Sequence, residues 1–322
     1  MEQRVEIITT ATLITTLAVC FATGCRPAET PSPAAAVDEF PSALVDFVPY
    51  EGNPVFTAAG PGSWDSGILE RGWILRDESG YRMWYTGYDA DGAGDDLLRL
   101  GYATSPDGLA WTRHAGNPLV DDLWIEDMMV VRHQGRYIMF AEGVGDRAHW
   151  LESTDGLSWT PHGRLDVRTT DGEPISDGPY GTPTVWVEGG TWYLFYERND
   201  AGIWLATSKD RTTWTNVQDE PVIAAGPEAY DRHAVAVNQI VKHQGRYYAY
   251  YHASAHQPWR DWTTNVAVSD DLIDWKKYPG NPILEENKSS GILVHDGQKY
   301  RLYTMHYRVD VHFPGAPSVA PE

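Results

Sequence analysis

The sequence predicts an all-β protein built from five repeated units, on three observations. Strand and turn formers are abundant, with 14 Trp, 18 Tyr, 30 Gly and 21 Pro among 322 residues, because aromatic side chains suit half-buried strands while Gly and Pro supply turns. A motif of the form S-x-D-G-x-x-W recurs with variation at Ser105, Ser153, Ser208 and Ser269, spaced by 48, 55 and 61 residues. Five hairpin patterns accompany it. Such periods are typical of propeller blades, so we predict a five-bladed β-propeller.

Each predicted blade begins with an apolar strand, a Gly-containing turn and an aromatic strand. The five hairpins read RDESGYRMWYTG, RHQGRYIMFAEG, VEGGTWYLFYER, KHQGRYYAYYHA and HDGQKYRLYTMH. The S-x-D-G-x-x-W motif supplies the third strand, a turn and the fourth strand, so we interpret Ser105, Asp107 and Trp111 as structural. Only four such motifs follow the five hairpins. Because VPYEGNPVF at 48–56 matches the RHAGNPLV and KYPGNPIL that end ordinary blades, we predict that this N-terminal strand closes the last blade.

The N-terminal region predicts export. Residues 1–25 have a mostly apolar stretch and the sequence ATGC ending at Cys25, which resembles the cleavage box of a bacterial lipoprotein. Residues 26–44 begin with a Pro/Ala-rich stretch and predict a disordered linker, which leaves 45–322 for the propeller. We expect a periplasmic, outer-membrane or cell-surface lipoprotein that contacts the membrane only through a lipid on Cys25. Plain secretion and an apolar membrane anchor are the alternatives.

Charge and cysteine content narrow the classes of partner. The net charge is −20 and no run of Lys or Arg occurs, so the chain lacks the basic surface that nucleic-acid binding requires. Both cysteines, Cys20 and Cys25, lie in the predicted signal region. The propeller is therefore predicted to contain no disulfide and no cysteine-based metal site, and we expect it to be a monomer.

The repeated A-x-S-x-D-G-x-x-W and G-N-P-[LIV] elements and the count of five, over about residues 45 to 313, resemble the five-bladed propeller glycosidases. That group contains glycoside hydrolase families 43, 32, 68 and 130. The resemblance implies an enzyme that cleaves a glycosidic bond in an oligo- or polysaccharide by carboxylate acid/base catalysis, and the N-terminal region predicts that this enzyme is exported. Fold analogy by itself does not establish an activity, so the candidate residues have to carry that prediction.

In such a propeller, residues at the start of the first strand and the end of the second strand of each blade surround a pocket. When the five hairpins are aligned on their shared aromatic residue, Asp127 is the only acid ten residues earlier, where the resemblance implies a catalytic Asp. The predicted catalytic residues are Asp127, Glu197 and Asp65. Glycoside hydrolysis typically needs two carboxylates, one to protonate the leaving oxygen and one to activate water or to attack. The alternatives are a turn-capping role for Asp65 and structural ion pairs for the other two.

A wider set of polar and aromatic residues is predicted to bind substrate, because aromatic faces stack on sugar rings and carboxylates or histidines bond their hydroxyls. These residues are Trp64, Glu70, Arg71, Trp124, Glu126, Glu142, Tyr180, Arg232, His233 and His252. Several arginines fall at strand ends on the expected pocket side. They favour an acidic or sulfated sugar through bidentate contacts, unless they merely neutralise the neighbouring carboxylates.

No metal or other cofactor is predicted to take part in the reaction. His233, His252 and His306 show no short-range ligand spacing, while a structural calcium or sodium ion near the axis is left open. The competing functions are a glycan-binding propeller without catalysis and a polysaccharide lyase or phosphorylase. Six acidic candidates favour hydrolysis over binding. The sugar, the linkage, the retaining or inverting outcome and endo or exo action do not follow from the sequence.

Overall fold

Five β-sheets make up the fold. In this computed structural model, residues 39–92 and 97–315 are described. The described chain starts with α1 (Ser42–Val45) and β1 (Phe47–Pro49). Blade I contains β2 (Gly67–Asp77), β3 (Gly80–Tyr88), β4 (Arg99–Ser105) and β5 (Thr112–Arg113). Blade II contains β6 (Glu126–His133), β7 (Arg136–Gly143), β8 (Arg147–Ser153) and β9 (Thr160–Arg164).

Blade III is the largest sheet. It contains β10 (Asp166–Arg168), β11 (Thr184–Glu188), β12 (Thr191–Glu197), β13 (Gly202–Ser208), β14 (Thr213–Asn216) and β15 (Ile223–Ala224). Blade IV contains β16 (Ala234–His243), β17 (Arg246–Ser254), β18 (Thr263–Ser269) and β19 (Lys276–Lys277). Blade V contains β20 (Ile292–His295), β21 (Tyr300–Met305), β22 (Val309–Pro314) and the N-terminal β1. The predicted five-bladed propeller is confirmed.

The N-terminal strand closes the last blade, as predicted. Strand β1 pairs antiparallel with β22, and Phe56 adds a bridge to Val309. Asn53 completes the pairing, because its side chain exchanges two hydrogen bonds of 2.8 Å with the backbone of Val311. The Asn of the two other G-N-P elements, Asn117 and Asn281, makes the same pair of bonds in blades I and IV. The Asn side chain of each G-N-P element thus satisfies the backbone N–H and C=O of one residue of a neighbouring strand.

The S-x-D-G-x-x-W motif forms a locally satisfied turn. Ser105 Oγ accepts the Gly108 N–H at 2.8 Å, and Asp107 Oδ1 accepts the next two backbone N–H groups. These turns also join blades. Trp84 of blade I donates its indole N–H to the Gly156 carbonyl of blade II, and Tyr303 of blade V donates to the Gly108 carbonyl. The motif recurs because every blade needs the same turn and the same packing on its neighbour.

The innermost strands β2, β6, β11, β16 and β20 contact one another in a ring around the axis. At the start of these strands the backbone takes the left-handed conformation at Glu70, Asp127, Thr182 and Ser290, with φ between 43° and 54°. Strand pairing also shifts register near the start of β2, β6 and β16. Left-handed non-glycine residues and bulges are costly, and they cluster where side chains must be aimed at a functional site.

The propeller unit begins earlier than the predicted boundary at residue 45. Residues from Glu39 onward belong to it, because Leu44 is fully buried and its carbonyl accepts the Tyr250 hydroxyl at 2.6 Å. Segment 39–44 is therefore part of the folded unit, not of the linker. The predicted signal peptide, Cys25 and most of the linker lie outside the described residues. None of the helices in the described part is long and apolar enough to cross a membrane.

Candidate active site

A cavity of about 220 Å³ opens where the inner strands begin, and we call it the axial cavity. Seven carboxylates line it: Glu70, Glu126, Asp127, Glu142, Asp146, Glu197 and Asp200. Its other lining residues are Pro179, Thr182, Asn199, His252, Trp259 and Trp262. A larger and more open cavity of about 620 Å³ lies around Arg76 and Arg301, at the opposite end of β2 from this carboxylate cluster.

The acids come from equivalent places in successive blades. Glu126 and Asp127 start β6, and Glu142 pairs directly with Glu126 near the end of β7. Glu197 ends β12 in blade III. Asp146 lies in the turn that follows β7. Because hairpins return the second strand to the end where the first began, strand starts and strand ends converge on one pocket.

Gly181 allows the carboxylates of Glu142 and Glu197 to approach the same stretch of backbone. The Gly181 N–H donates to Glu197 Oε1 at 2.9 Å, and the Thr182 N–H donates to Glu142 Oε2 at 2.7 Å. A Cβ on residue 181 would overlap both carboxylates. Glu197 Oε2 also accepts the Asp200 N–H at 2.7 Å. Both oxygens of Glu197 are therefore held by backbone donors, which fixes the side chain and favours its ionised form.

Burial raises the pKa of most of these acids. It raises the pKa of Asp127 to about 7 and that of Glu126 to about 8, with a further increase from neighbouring carboxylates. The pKa of Asp200 is raised to about 8, and that of Glu142 well above its usual value, for the same reasons. Burial also raises the pKa of Glu197, although its backbone donors oppose the change. Some carboxyl groups in the cavity therefore hold protons near neutral pH, as a general acid requires.

Arg71 was predicted to bind substrate, but the structure places it outside the lining of the axial cavity. Its side chain is completely buried beside the carboxylates and does not line the axial cavity. The guanidinium donates to five acceptors at the inner-strand starts of blades II, III and IV: Asp127 O, Pro183 O, Thr184 Oγ1, Val237 O and Asn238 O. Its own backbone N–H donates to Asp127 Oδ1 at 3.0 Å. Arg71 thus joins four blades and places a positive charge beside Asp127, which opposes the rise in the Asp127 pKa.

Asp65 was predicted to be catalytic, but it lies outside the axial cavity. Its Oδ2 accepts Arg113 Nε at 2.8 Å and the Tyr85 hydroxyl at 2.9 Å, and only 1% of the residue is exposed. Blade IV repeats this arrangement, with Asp231 paired to Lys277 at 2.5 Å. In both blades an Asp before the inner strand is paired with a cation on the fourth strand. This pairing favours the structural alternative for Asp65.

We expect Asp65→Asn to lower the free energy of unfolding by roughly 1–3 kcal/mol, because it leaves the guanidinium of Arg113 without its carboxylate. The turnover number should not change. Asp231→Asn is the matched variant in blade IV and should behave in the same way. Urea unfolding and turnover measured on the same preparations test this, and a loss of turnover without a loss of stability would return Asp65 to the site.

The predicted aromatic residues also lie outside the lining of the axial cavity. Trp64 stacks on Tyr85 with ring centroids 6.0 Å apart, within the hydrophobic core. The Tyr180 hydroxyl donates to the Leu165 carbonyl. Trp124 has an indirect connection with the site, because its indole N–H donates to Glu126 Oε2 at 3.0 Å and so orients that acid. Aromatic residues this close to inner strands are used for packing between and within blades.

The structure also places Arg232, His233 and Arg198 outside the lining of the axial cavity. Arg232 is exposed and His233 uses its backbone N–H to bond Ser254, and neither lines the axial cavity. Arg198 donates to the carbonyls of Pro179 and Ser176 instead of to the cavity. None of the described residues that line the axial cavity is an arginine or lysine. Arg198 and Arg232 therefore give no support for an acidic or sulfated sugar in the axial cavity.

Of the predicted residues, the structure brings Asp127, Glu197, Glu70, Glu126, Glu142 and His252 together in the axial cavity. Burial lowers the pKa of His252 to about 4, so its ring is neutral near pH 7. Its Nδ1 lies 2.9 Å from Asn238 Nδ2, and its ring makes an edge contact with Trp262. This neutral imidazole suits hydrogen bonding to a hydroxyl more than proton transfer.

Four prominent lining residues were missed. Asp146 and Asp200 follow the second strands of blades II and III by a few residues, in EGVGD and ERND. Each lies three residues beyond the last residue of its strand, a relation that becomes visible only once the strand ends are known. Trp259 and Trp262 lie in the loop after β17, whose path does not follow from any repeat. In the described ranges, no group of three or more His, Cys, Asp or Glu side chains is arranged to hold a metal ion.

The raised pKa values also predict how stability depends on pH. Folded Glu126, Asp127 and Asp200 keep protons up to pH 7–8, whereas in the unfolded chain such groups release them near about pH 4. Their contribution to stability is therefore present below about pH 4 and is lost as the pH rises through 7–8. We expect a lower melting temperature at about pH 8 than at about pH 5, and a smaller difference in Asp200→Asn. Calorimetry checks this, with the exposed Asp177→Asn as control. Equal pH dependence in all three proteins would contradict it.

Solved structures of glycoside hydrolases share the fold of this chain. A glycosyl hydrolase from Bacteroides ovatus superposes with a TM-score of 0.71 at 17% identity, covering 88% of this chain and 97% of that one. A structure from the family 130 of mannoside phosphorylases, which contains glycoside hydrolases that target β-1,2 mannosidic linkages in Candida mannan, has a TM-score of 0.67 at 16% identity, covering 86% and 96%. The protein has the five-bladed propeller fold of the glycoside hydrolases, and the predicted resemblance is confirmed.

Sequence comparison adds a narrower match within that class. Residues 182–305 match the family described as Glycosyl hydrolases family 32 N-terminal domain. The match runs from two residues before β11 of blade III to the end of β21. The uncharacterized protein MT1551 of Mycobacterium tuberculosis (strain CDC 1551 / Oshkosh) is 22% identical over 215 residues, which are 62% of this chain and 71% of that protein.

Proposed function

We propose that the protein hydrolyses glycosidic bonds of a neutral oligo- or polysaccharide in the axial cavity. The observation that supports this most is the convergence of seven carboxylates from three blades on one small cavity, several of them with pKa values raised by burial. Glycosidases use a pair of carboxyl groups, of which one is protonated and the other is ionised. A structural role alone does not account for so many buried acids without cationic partners in the cavity.

The environments of Asp127 and Glu197 suit different roles. Asp127, with a pKa of about 7, is partly protonated near neutral pH and can give its proton to the glycosidic oxygen as the C–O bond breaks. Glu197 accepts two backbone hydrogen bonds, which favour the carboxylate that attacks the anomeric carbon or takes a proton from the attacking water. The products are two free sugars, one carrying the hydroxyl of the water.

The electrostatics favour a neutral sugar. A carboxylate or sulfate on the substrate would meet seven carboxyl groups and no lining arginine or lysine among the described residues, and like charges at short distance repel. Trp259 is 47% exposed and lies beside Trp262 at 6.4 Å between ring centroids. Exposed indole rings at a cavity rim suit stacking on the apolar face of a pyranose or furanose.

Phosphorolysis and lyase chemistry fit the axial cavity less well. Phosphate would need a cationic contact, and the only titratable nitrogen base among the described lining residues is His252, which is neutral near pH 7. A uronate-directed lyase would need a cation for the substrate carboxylate in the same place. Glycan binding without cleavage is the second candidate function, and the paired Trp259 and Trp262 favour it.

The test of hydrolysis is a screen of the mature protein against neutral and acidic oligosaccharides, with products read by mass spectrometry. In ¹⁸O-labelled water, hydrolysis places the label in one product. In a parallel sample with added phosphate, a phosphorylase would instead produce a sugar phosphate. We expect label in a product from a neutral glycan. Binding of a glycan without any product would support the second candidate function instead.

We also propose that the protein is exported and held at a membrane by a lipid on Cys25. In a bacterial host, Cys25→Ser should move the protein from the membrane fraction to the soluble fraction without changing turnover, because Cys25 precedes the propeller in the sequence and is not part of its predicted active site. Cys20→Ser is the matched control and should leave the distribution as it was. If Cys25→Ser stays with the membrane, an apolar anchor replaces the lipid in this proposal.

A further inference from the structure

A second cavity of about 250 Å³ lies beside the axial cavity, at the end of blade V. We call it the blade V pocket, and the lining residues that matter here are Asn287, Lys288, His306, Tyr307, Arg308 and Asp310. Its volume is close to that of the axial cavity. Each of the two cavities therefore has room for a single ring rather than for a chain.

Two contacts join the two cavities. His306 Nδ1 of the blade V pocket lies 3.3 Å from Glu70 Oε2 of the axial cavity. Trp262 lines the axial cavity, and its backbone N–H donates at 2.9 Å to Oδ1 of Asn287, which lines the blade V pocket. The linings of the two cavities are therefore adjacent, so the two rings of one disaccharide are close enough in scale to occupy one cavity each.

The charges in the blade V pocket are paired. Arg308 Nη2 lies 3.0 Å from Asp310 Oδ2, and Lys288 Nζ lies 3.1 Å from Glu286 Oε2. Positive and negative groups therefore balance, in contrast to the axial cavity. A balanced set of charged donors and acceptors favours neutral ligands whose hydroxyls both donate and accept, over phosphate or other anions.

Asp310 and Arg308 keep bonding capacity for a ligand. Asp310 is 3% exposed, and its Oδ1 has no hydrogen-bond partner among the described residues. A buried carboxylate oxygen without a donor is costly, so it provides a strong acceptor for a hydroxyl. The Arg308 side chain is 56% exposed, which leaves guanidinium donors open. An acceptor and a donor on adjacent side chains match two neighbouring hydroxyls of a sugar.

Tyr307 adds an apolar surface to the blade V pocket. Its ring is held against the His306 ring at 4.0 Å between centroids, yet 59% of the residue is exposed. A large exposed aromatic residue whose ring is braced on one side is suited to stacking on a sugar. The polar pair and the ring together offer the two kinds of contact that carbohydrate sites combine.

We infer that the blade V pocket is a second sugar-binding site, which holds the neighbouring unit of the same neutral glycan. The inference rests on the proposed hydrolase function for its substrate class, but it stands on contacts outside the axial cavity. It assigns a substrate of at least two linked neutral sugar units, one in each cavity, with the glycosidic bond near Glu70 and His306.

The test compares a disaccharide that the wild type cleaves with the 4-nitrophenyl glycoside of the same sugar. Arg308→Gln and Tyr307→Ala should each raise KM for the disaccharide about tenfold, because each removes a contact to the second ring. The change in KM for the 4-nitrophenyl glycoside should be smaller. Both residues are more than half exposed, so both variants should fold. Arg82→Gln, which removes an arginine paired with Asp77 at the far end of blade I, is the matched control and should change neither KM.

The outcomes separate this inference from the proposed function. If the wild type cleaves the disaccharide and both variants keep its KM, the second site is wrong and hydrolysis stands. If no sugar is cleaved, calorimetric titration with the same neutral oligosaccharides replaces KM. Weaker binding by Arg308→Gln then supports the second site without hydrolysis, and equal binding overturns it. A wild type that neither cleaves nor binds a neutral oligosaccharide overturns both.

Discussion

Asp127→Asn and Glu197→Gln should each lower kcat by roughly 100-fold or more while the fold stays intact, because each keeps the shape of the side chain and removes its ionisation. Asp127 loses the proton that it gives to the leaving oxygen, and Glu197 loses the negative charge that attacks or activates water. The glycan should still bind. Turnover on the glycan identified by the screen, with melting temperatures of the same samples, measures both effects.

The matched control for these variants is Asp177→Asn, which removes a largely exposed carboxylate paired with Arg147 and should leave kcat as it is. If Asp127→Asn cleaves as fast as the wild type, Asp127 is not the acid. A protein that only binds glycan would show no turnover at all, and its affinity should then fall more when His252 is truncated than when either carboxylate is neutralised.

Arg71→Met should cause the largest loss of stability of any single substitution proposed for this protein, about 3–5 kcal/mol, since it breaks a fully buried network of a cation and its acceptors. The carbonyls of Pro183, Val237 and Asn238 would each lose the Arg71 donor, which leaves the Thr184 hydroxyl for the last two, and Asp127 would lose the positive charge beside it. Urea unfolding at pH 7 measures the change. Lower pH should reduce the loss, because protonated carboxyls need no counter-charge.

Arg71→Lys tests whether charge or geometry matters more. A single ammonium keeps the charge but cannot replace the planar fork that donates to three blades, so this variant should fall between the wild type and Arg71→Met. Arg301→Met is the control. It breaks a partly buried ion pair with Asp296 in blade V, away from the axial cavity, and should lose less stability than Arg71→Met. If Arg71→Met is as stable as the wild type, the guanidinium network does not hold the blades together.

The part of this structure that could be predicted from the sequence is the part governed by contacts between near neighbours in the chain. The turn around Ser105 and Asp107 satisfies its hydrogen bonds within a few residues, so its motif is visible in every blade and can be counted. The turn of a hairpin also determines which residue at the start of the first strand lies beside which residue at the end of the second. Alignment of the hairpins was therefore enough to locate Asp127, Glu142 and Glu197 in the axial cavity, and to predict that β1 closes blade V.

The direction of a side chain at the axis was decided only by the tertiary structure. In the hairpin alignment, Arg71 and Asp127 occupy equivalent positions. The register shift in β2 accompanies a different direction of the Arg71 side chain, which is buried outside the cavity lining. Its hydrogen-bond partners are 56 to 167 residues away in the chain. Asp65 pairs with Arg113 on the fourth strand, 48 residues away in the chain. The raised pKa values depend on burial among acids from three blades. Local sequence encodes turns and pairing because those bonds are local, whereas burial and charge at the axis arise only when all five blades meet.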